Sequence, residues 1–377
     1  MTAVATVGAG PRPPVAAPGL PVAARGLPVA ARGLPVDEPG VRRSSAQERT
    51  DSAGVLSAEL SGALTLCWQP PFPLDLVRTL AVHRRGGGDP AFRIDASGAV
   101  WRTSLTPEGP ATVRLSMASV GTLAGAAQDR AGRAPTVHAA GWGPGAAWLI
   151  ASVPALLGGE DDRTGFDPAH PLLRDLFLRY HGVRISRSGR VFEALVPAVL
   201  EQKVVGAEAR RAWRMLLLTF GEPAPGPVPA GMRVCPSPDV WRRIPSWEWH
   251  RAGVEAVRAR TVIGAARVAA RLEEITAMAP AGADRRLRTL PGIGPWSSAE
   301  VRQRACGDPD AVSVGDYHLP GAVGWALAGR KVGDAGMLEL LAPYAGHRHR
   351  VARLIELSGI APPRRAPRRA VRDYRSF

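Results

Sequence analysis

The chain has 377 residues, 45% of them hydrophobic and 21% charged, a globular composition long enough for two domains. Forty-eight lysines and arginines stand against 33 acids, so the formal charge is +15 and a polyanion is the natural partner. Three widely spaced cysteines, Cys67, Cys235 and Cys306, exclude a disulfide scaffold and a four-cysteine zinc or iron–sulfur site. No apolar run reaches the ~18 residues of a membrane span. The best candidate, Ala146 to Leu157, is short and contains Pro154. The N-terminus shows no basic region leading into an apolar core, so the expected compartment is the reducing cytoplasm.

Residues 1–57 carry a seven-residue repeat, GLPVAAR, from Gly19 to Val36. A proline in every repeat argues against a coiled coil, and the period is too short for a solenoid. This segment reads as a low-complexity, disordered tail. Residues 58–160 read as an α+β domain. Leu64–Trp68 predicts a strand ended by Pro70-Pro71, and Leu74–Val82 a helix with Leu76, Val77 and Leu80 near one face. Phe92–Ile94 and Val100–Thr103 flank Ser97-Gly98 as a hairpin. Val113, Leu115 and Met117 alternate with polar residues as a half-buried strand. A helix-like apolar segment closes the region.

Residues 165–360 read as helical. Phe192, Leu195, Val196, Val199 and Leu200 make a core-facing stripe. Glu222–Gly231 is a proline-rich loop. Val254, Val257, Val262, Val268, Leu272 and Ile275 lie on one or two further helices. Leu287–Leu290 ends a helix, Trp296–Cys306 forms another, and Val351–Leu357 the last. Residues 361–377 are a basic tail with Arg364, Arg365, Arg368, Arg369, Arg372 and Arg375. His347-Arg348-His349 is a poor metal pair, because alternating residues of a helix do not share a face.

The string Leu290-Pro291-Gly292-Ile293-Gly294-Pro295-Trp296 joins two helices by a tight turn. Pro295 suits a first helical position. Gly292 and Gly294 remove side chains where something must approach the main chain. The N–H groups of the following helix start, with its dipole, suit a phosphodiester. An ordinary glycine turn between packed helices is the alternative. Asp316 follows Trp296 by twenty residues, enough for a short helix and a return loop. It can cap the next helix, or face the groove beside the turn and serve chemistry there; both can hold at once.

LPGIGPW resembles the hairpin of the helix–hairpin–helix base-excision DNA glycosylase superfamily. Phe192–Phe220 is similar to the family's helix pair with an ILxQ-type signature. Leu64–Phe72 (LTLCWQPPF) resembles the start of the α+β domain of the inducible 3-methyladenine DNA glycosylase II group. The similarity spans roughly residues 60–360. It implies an α+β domain followed by an all-α helix–hairpin–helix domain, with disordered tails at both ends. It further implies a monomer that binds double-stranded DNA, flips an alkylated base and hydrolyses its N-glycosidic bond in base-excision repair, in the bacterial nucleoid.

On the resemblance, Asp316 is the catalytic carboxylate that stabilises oxocarbenium character at the sugar and orients water. Bifunctional relatives carry a lysine where this chain has Trp296, so a water nucleophile and no lyase step are expected. Trp296 and Tyr317 are candidate walls for the base, through stacking and cation–π contact. Plain core packing is the alternative for both. Glu300 and Glu356 stand where the better-known member has pocket aromatics. Glu300 either reads a positively charged base or is a surface residue. Gly292, Ile293, Gly294, Gln202, Lys203 and Arg348 are the expected DNA contacts. Lys203 replaces an apolar side chain that relatives insert into the gap left by the flipped base, and it contacts a phosphate or is simply solvated. The carbonyls of Arg288, Leu290 and Ile293 are the expected ligands of a structural K⁺ or Na⁺. No other cofactor and no iron–sulfur cluster is expected. A hairpin protein that binds DNA without catalysis, and a glycosylase for oxidised or mismatched bases, are the alternatives.

Overall fold

The computed structural model describes the backbone of residues 42–43 and, in full, residues 62–117 and 135–363. The Gly19–Val36 repeat and the arginines from Arg364 onward lie outside the described residues.

The α+β part is built on one antiparallel sheet. Its strands are β1 (Arg42–Arg43), β2 (Leu64–Trp68), β3 (Phe92–Ile94), β4 (Val100–Thr106), β5 (Gly109–Met117) and β6 (Val137–Trp142), in the order β1-β2-β6-β5-β4-β3. Asp95 closes the β3–β4 turn by accepting from the amides of Ser97 and Ala99, the side-chain mimicry of a turn that aspartate favours. Val113 and Leu115 point into a core with Leu66, Leu80, Leu149 and Ile150. The half-buried expectation for β5 is corrected at Thr112, which is fully buried. It pairs with Trp142, which stacks on Trp101 at 5.5 Å and covers that face with Met232. Helix α1 (Leu76–Leu80) is capped by Asp75, whose side chain accepts from Arg78 N. Leu76 and Leu80 are buried, whereas Val77 is exposed, contrary to the expected face. The apolar segment after β6 forms α2 (Ala146–Ala151) and α3 (Val153–Leu156).

The remainder is helical: α4 (Pro171–Arg179), α5 (Val191–Leu200), α6 (Gly206–Phe220), α7 (Pro238–Arg243), α8 (Ser246–Arg251), α9 (Ala256–Arg267), α10 (Ala269–Glu273), α11 (Pro280–Arg288), α12 (Pro295–Val301), α13 (Leu319–Ala328), α14 (Asp334–Leu341) and α15 (Arg348–Ser358). The proline-rich loop is pinched by a two-residue ladder, β7 (Glu222–Pro223) on β8 (Arg233–Val234). Every residue of α5 except Glu193 is buried, so this helix is the axis of a core that runs through Trp213, Trp241, Val262, Leu287 and Ile293. A second helical core gathers Leu173, Leu319, Val323, Met337, Leu341 and Ile355. α12 belongs to the first and α13 to the second. The site described below lies where these two helices begin.

Charged groups stitch the sheet to the helices. Glu193 accepts from Arg102 at 2.5 Å, Ser104 Oγ at 2.7 Å and Leu105 N at 3.3 Å. Arg85 pairs with Glu201 at 3.0 Å, and Arg304 Nε donates to Val82 O at 2.9 Å. A cavity of about 30 Å³ among His83, Arg102, Ser188, Glu193 and Arg304 has room for only a water or two. Among the described residues, no helix is long and apolar enough to cross a membrane.

Burial lowers the His349 imidazole pKa to about 3, helped by the positive charges of Arg353, Arg304 and Arg350. The folded protein keeps this ring neutral while the unfolded chain takes up a proton below its ordinary value of 6.5, so stability is lost as pH falls through 6.5 towards 3. Between pH 7 and pH 5 the loss is about 2 kcal/mol. Urea unfolding at the two pH values, wild type beside His349→Leu, checks this. The stability gap between the proteins narrows by that amount at pH 5; equal acid losses in both contradict it.

Candidate active site

The hairpin forms because α11 stops at Arg288 and two short bonds close the chain behind it. Leu290 N donates to Leu287 O and Ile293 N to Leu290 O, both at 3.1 Å. Gly292 adopts φ +88°, and a Cβ there would stand 2.2 Å from Thr261 Oγ1 on α9. Its missing side chain therefore serves the docking of the hairpin on α9, not the approach of a ligand. Gly294 is different. Its φ is −96°, it precedes Pro295, and an added Cβ would meet nothing within 4 Å. That side of the turn is open. Ile293 is the anchor, 6% exposed and packed in the first helical core, and its amide is already donated to Leu290 O, so the expected DNA contact at Ile293 passes to the main chain at Gly294.

Gln202 sits in the turn after α5 and braces the hairpin. Its Nε2 donates to Gly292 O at 2.9 Å and to Ser297 Oγ at 2.8 Å. The expected DNA contact is corrected to this extent: the amide nitrogen is spent inside the protein. Lys203 follows at the tip of the same turn. It is exposed, and at φ +56° it is the single non-glycine residue in the left-handed region among the described residues. Such a backbone costs on the order of 1–3 kcal/mol and persists where the surroundings over-determine it.

Asp316 lies just ahead of α13 and is partly exposed. Its Oδ1 accepts from His318 N at 2.7 Å and Leu319 N at 2.8 Å, capping the helix. Its Oδ2 accepts from Trp296 Nε1 at 3.0 Å. Capping and the chemical reading therefore coexist: three donors fix both oxygens, and the indole ties the acid to the first turn of α12. Trp296 is half-buried and is not simply core filler. Tyr317 does not line a pocket. It is 91% exposed, edge-on to His318 at 4.9 Å, because its neighbour's capping bonds turn the chain so that alternate side chains face outward.

Glu300, one turn after Trp296, is neither a surface residue nor a free reader of a base. Ser313 Oγ donates to its Oε1 at 2.6 Å and Arg304 holds its Oε2 at 2.7 Å. Arg304 is also surrounded by Glu201 and Glu356, and these acids raise its pKa against its own burial. The acid left open is Glu356 on α15. Among the described residues its one ion pair, with Arg353, is long at 3.4 Å, and 48% of its side chain is accessible. Desolvation by surrounding protein nevertheless raises its pKa, with Glu300 adding repulsion against the attraction of Arg353 and Arg304.

Arg348 is committed elsewhere: its Nε donates to Asp310 Oδ1 at 2.8 Å and its Nη2 to Oδ2. That pairing fixes the start of α15 and engages two of the three guanidinium nitrogens, with 35% of the side chain still accessible. Leu290 O already accepts one hydrogen bond, but a carbonyl carries two lone pairs. The turn thus retains acceptor capacity for a monovalent cation. The sequence reading missed Arg304, Ser313 and Thr261. The four-residue spacing from Glu300 to Arg304 could have exposed the first; the other two are long-range contacts with no local signal.

No family model matches the chain. Over 170 residues, 44% of this chain and 32% of the relative, it is 31% identical to a probable bifunctional transcriptional activator/DNA repair enzyme AlkA of Mycobacterium tuberculosis, in each of two strains. The chain thus spans about a third of the length of the curated relatives it matches. Among solved structures, it is similar to a 3-methyladenine DNA-glycosylase from Archaeoglobus fulgidus, with a TM-score of 0.62 at 16% identity over 78% of this chain and 98% of that one. It is also similar to an 8-oxoguanine glycosylase/lyase from Clostridium acetobutylicum, with a TM-score of 0.56 at 12% identity over 78% and 95% of the two chains. The fold is the one these glycosylases share.

The two glycines separate docking from ligand contact. Gly292→Ala should lose about 1–3 kcal/mol of stability through strain and the Thr261 clash. Gly294→Ala should change stability by less than about 0.5 kcal/mol yet weaken duplex DNA binding tenfold or more. Melting curves and fluorescence anisotropy check both; unimpaired binding by Gly294→Ala contradicts the assignment of that face.

Proposed function

We propose that the protein is a DNA glycosylase that removes alkylated bases of the 3-methyladenine type from double-stranded DNA by hydrolysis, in base-excision repair in the cytoplasm. The observation that carries this reading is the Trp296–Asp316 pair at the mouth of the hairpin. The main chain at Gly294 and the start of α12 would hold a phosphate of the damaged strand. A K⁺ or Na⁺ on the carbonyls of Arg288, Leu290 and Ile293 would add positive charge beside it. The same phosphate contacts release counterions, so affinity falls steeply with salt. The protein acts as a monomer on this reading.

Breaking the bond between deoxyribose and base builds positive charge at C1′. Asp316, already immobilised by three donors, opposes that charge without reorganising, and it can orient the attacking water. An alkylated purine leaves readily because it departs from a cationic nucleoside, so no strong general acid is required. Trp296 stands where a nucleophilic lysine would have to follow the hairpin, which makes water the nucleophile for base release. Its ring is held by the Asp316 bond and offers a face on which an electron-poor base stacks, worth about 0.5–2 kcal/mol.

Asp316→Asn tests the assignment cleanly, because asparagine caps as well as aspartate. Base release from methylated duplex should fall at least about 10²-fold, with duplex affinity within threefold of wild type. Undiminished release contradicts the chemistry, and a wild type that binds but releases nothing favours the reading of a DNA-binding protein without catalysis.

On this reading Glu356, whose carboxylate is the more accessible of the two acids, favours positively charged bases. Glu356→Gln should lower the preference for 3-methyladenine over a neutral lesion about tenfold. Competition assays on a panel of lesion duplexes read this directly. Unchanged discrimination, or faster release of oxidised bases by the wild type, shifts the substrate class to those bases.

A further inference from the structure

Two of the 48 basic side chains in this sequence are lysines, Lys203 and Lys331. The difference is chemical. Guanidinium groups serve phosphates well, but only a primary amine adds to a carbonyl carbon. Lys203 occupies the turn after α5, where Gln202 is fastened to Gly292 O and Ser297 Oγ. Ser297 adjoins Trp296, whose Nε1 is bonded to Asp316. Lys203 is therefore one residue removed from a side chain that touches the neighbour of the Trp296–Asp316 pair. Among the described residues it forms no ion pair and no side-chain hydrogen bond, and its left-handed backbone holds an exposed side chain at the tip of a turn otherwise tied down. A flexible four-carbon stem then carries its amine.

We propose that Lys203 is a second reactive group, whose ε-amine condenses with the C1′ aldehyde of the ring-opened abasic sugar left by base removal. The proposal rests on the glycosylase reading, which puts that sugar against Asp316. It revises the expectation of no lyase step, which followed from Trp296 alone. The ammonium first yields a proton to solvent. The nitrogen lone pair then attacks C1′, and the carbonyl π pair moves to oxygen, giving a carbinolamine. Solvent protonates that hydroxyl, which leaves as water while the nitrogen lone pair forms the C1′=N bond of an iminium. Water removes a proton from C2′. The pair from that C–H bond forms C1′=C2′ as the iminium π pair withdraws to nitrogen. Its return expels the 3′ phosphate oxygen with the C3′–O electrons and breaks the strand. Water hydrolyses the remaining imine and restores the amine. No oxidant or reductant takes part.

The experiment supplies an abasic duplex directly, made from a uracil-containing duplex, and traps the imine with sodium borohydride. Because no base need be removed, its result does not depend on whether alkylated bases are released. The full-length protein is compared with Lys203→Arg and Lys331→Arg, and thermal melting confirms that each variant folds. We expect a covalent adduct with wild type and Lys331→Arg, and at least tenfold less with Lys203→Arg at an unaltered melting temperature. Peptide mapping of the wild-type adduct should place the sugar on Lys203. No adduct from wild type, or a wild-type yield from Lys203→Arg, overturns the proposal. Base release from methylated DNA without any adduct overturns this inference alone and leaves the glycosylase reading standing.

Discussion

The hydrogen bond from Trp296 Nε1 to Asp316 Oδ2 joins two helices that belong to different cores. α12 begins at the hairpin and packs with the core around α5, whereas α13 begins at the acid and packs with α14 and α15. The Ser313–Glu300 bond ties the same two segments one turn further along α12, but the Trp296 bond is the one that reaches the acid itself. With it, the place where a phosphodiester can rest and the place where positive charge can be opposed are held at a fixed spacing. The capping bonds from His318 N and Leu319 N lock the remaining carboxylate oxygen. Preorganisation of this kind is what a fixed anion needs in order to act on a developing cation.

An arginine-rich chain must also dispose of its charges. Desolvating a charge costs several kcal/mol unless partners replace the lost water. Here ion pairs take that load: Arg102 on Glu193 and Arg85 on Glu201 where the α+β part meets the helices, and Arg304 on Glu300 and Arg350 on Asp161 at 2.7 Å elsewhere. Glu300 thereby becomes a structural acid, although its spacing from Trp296 pointed to a base-facing one. Arg348 is likewise paired, with Asp310, though it stays partly exposed. A positive sequence charge thus overstates the free positive surface that DNA can meet.

Local signals were legible. Leu64–Trp68, the Ser97-Gly98 turn, the buried stripe of α5, the helix–turn–helix at Gly292–Gly294 and the position of Asp316 all depend on periodicity or turn chemistry within a few residues. What was not legible depended on distant partners. Gly292 reads as a ligand-approach glycine until Thr261 is found against it. Gln202 reads as a DNA contact until its amide is seen on the hairpin. Tyr317 reads as a wall until its capping neighbour turns it outward. Val77 and Val257 read as core residues, but each sits on the outer side of its helix, exposed by 38% and 54%; apolar type alone does not dictate burial. α14 went unseen because Gly336 interrupts an eight-residue helix and weakens its periodic signal.

A crystal structure with a duplex carrying a pyrrolidine abasic analogue reads the spacing between Asp316 and the hairpin in one measurement. The cationic ring nitrogen stands in for the charge that develops at C1′. That nitrogen should stand within about 3.5 Å of the Asp316 carboxylate, with a phosphate of the same strand against the main chain at Gly294. A duplex seated on another face, or an analogue held away from Asp316 with the hairpin free of phosphate, would contradict it.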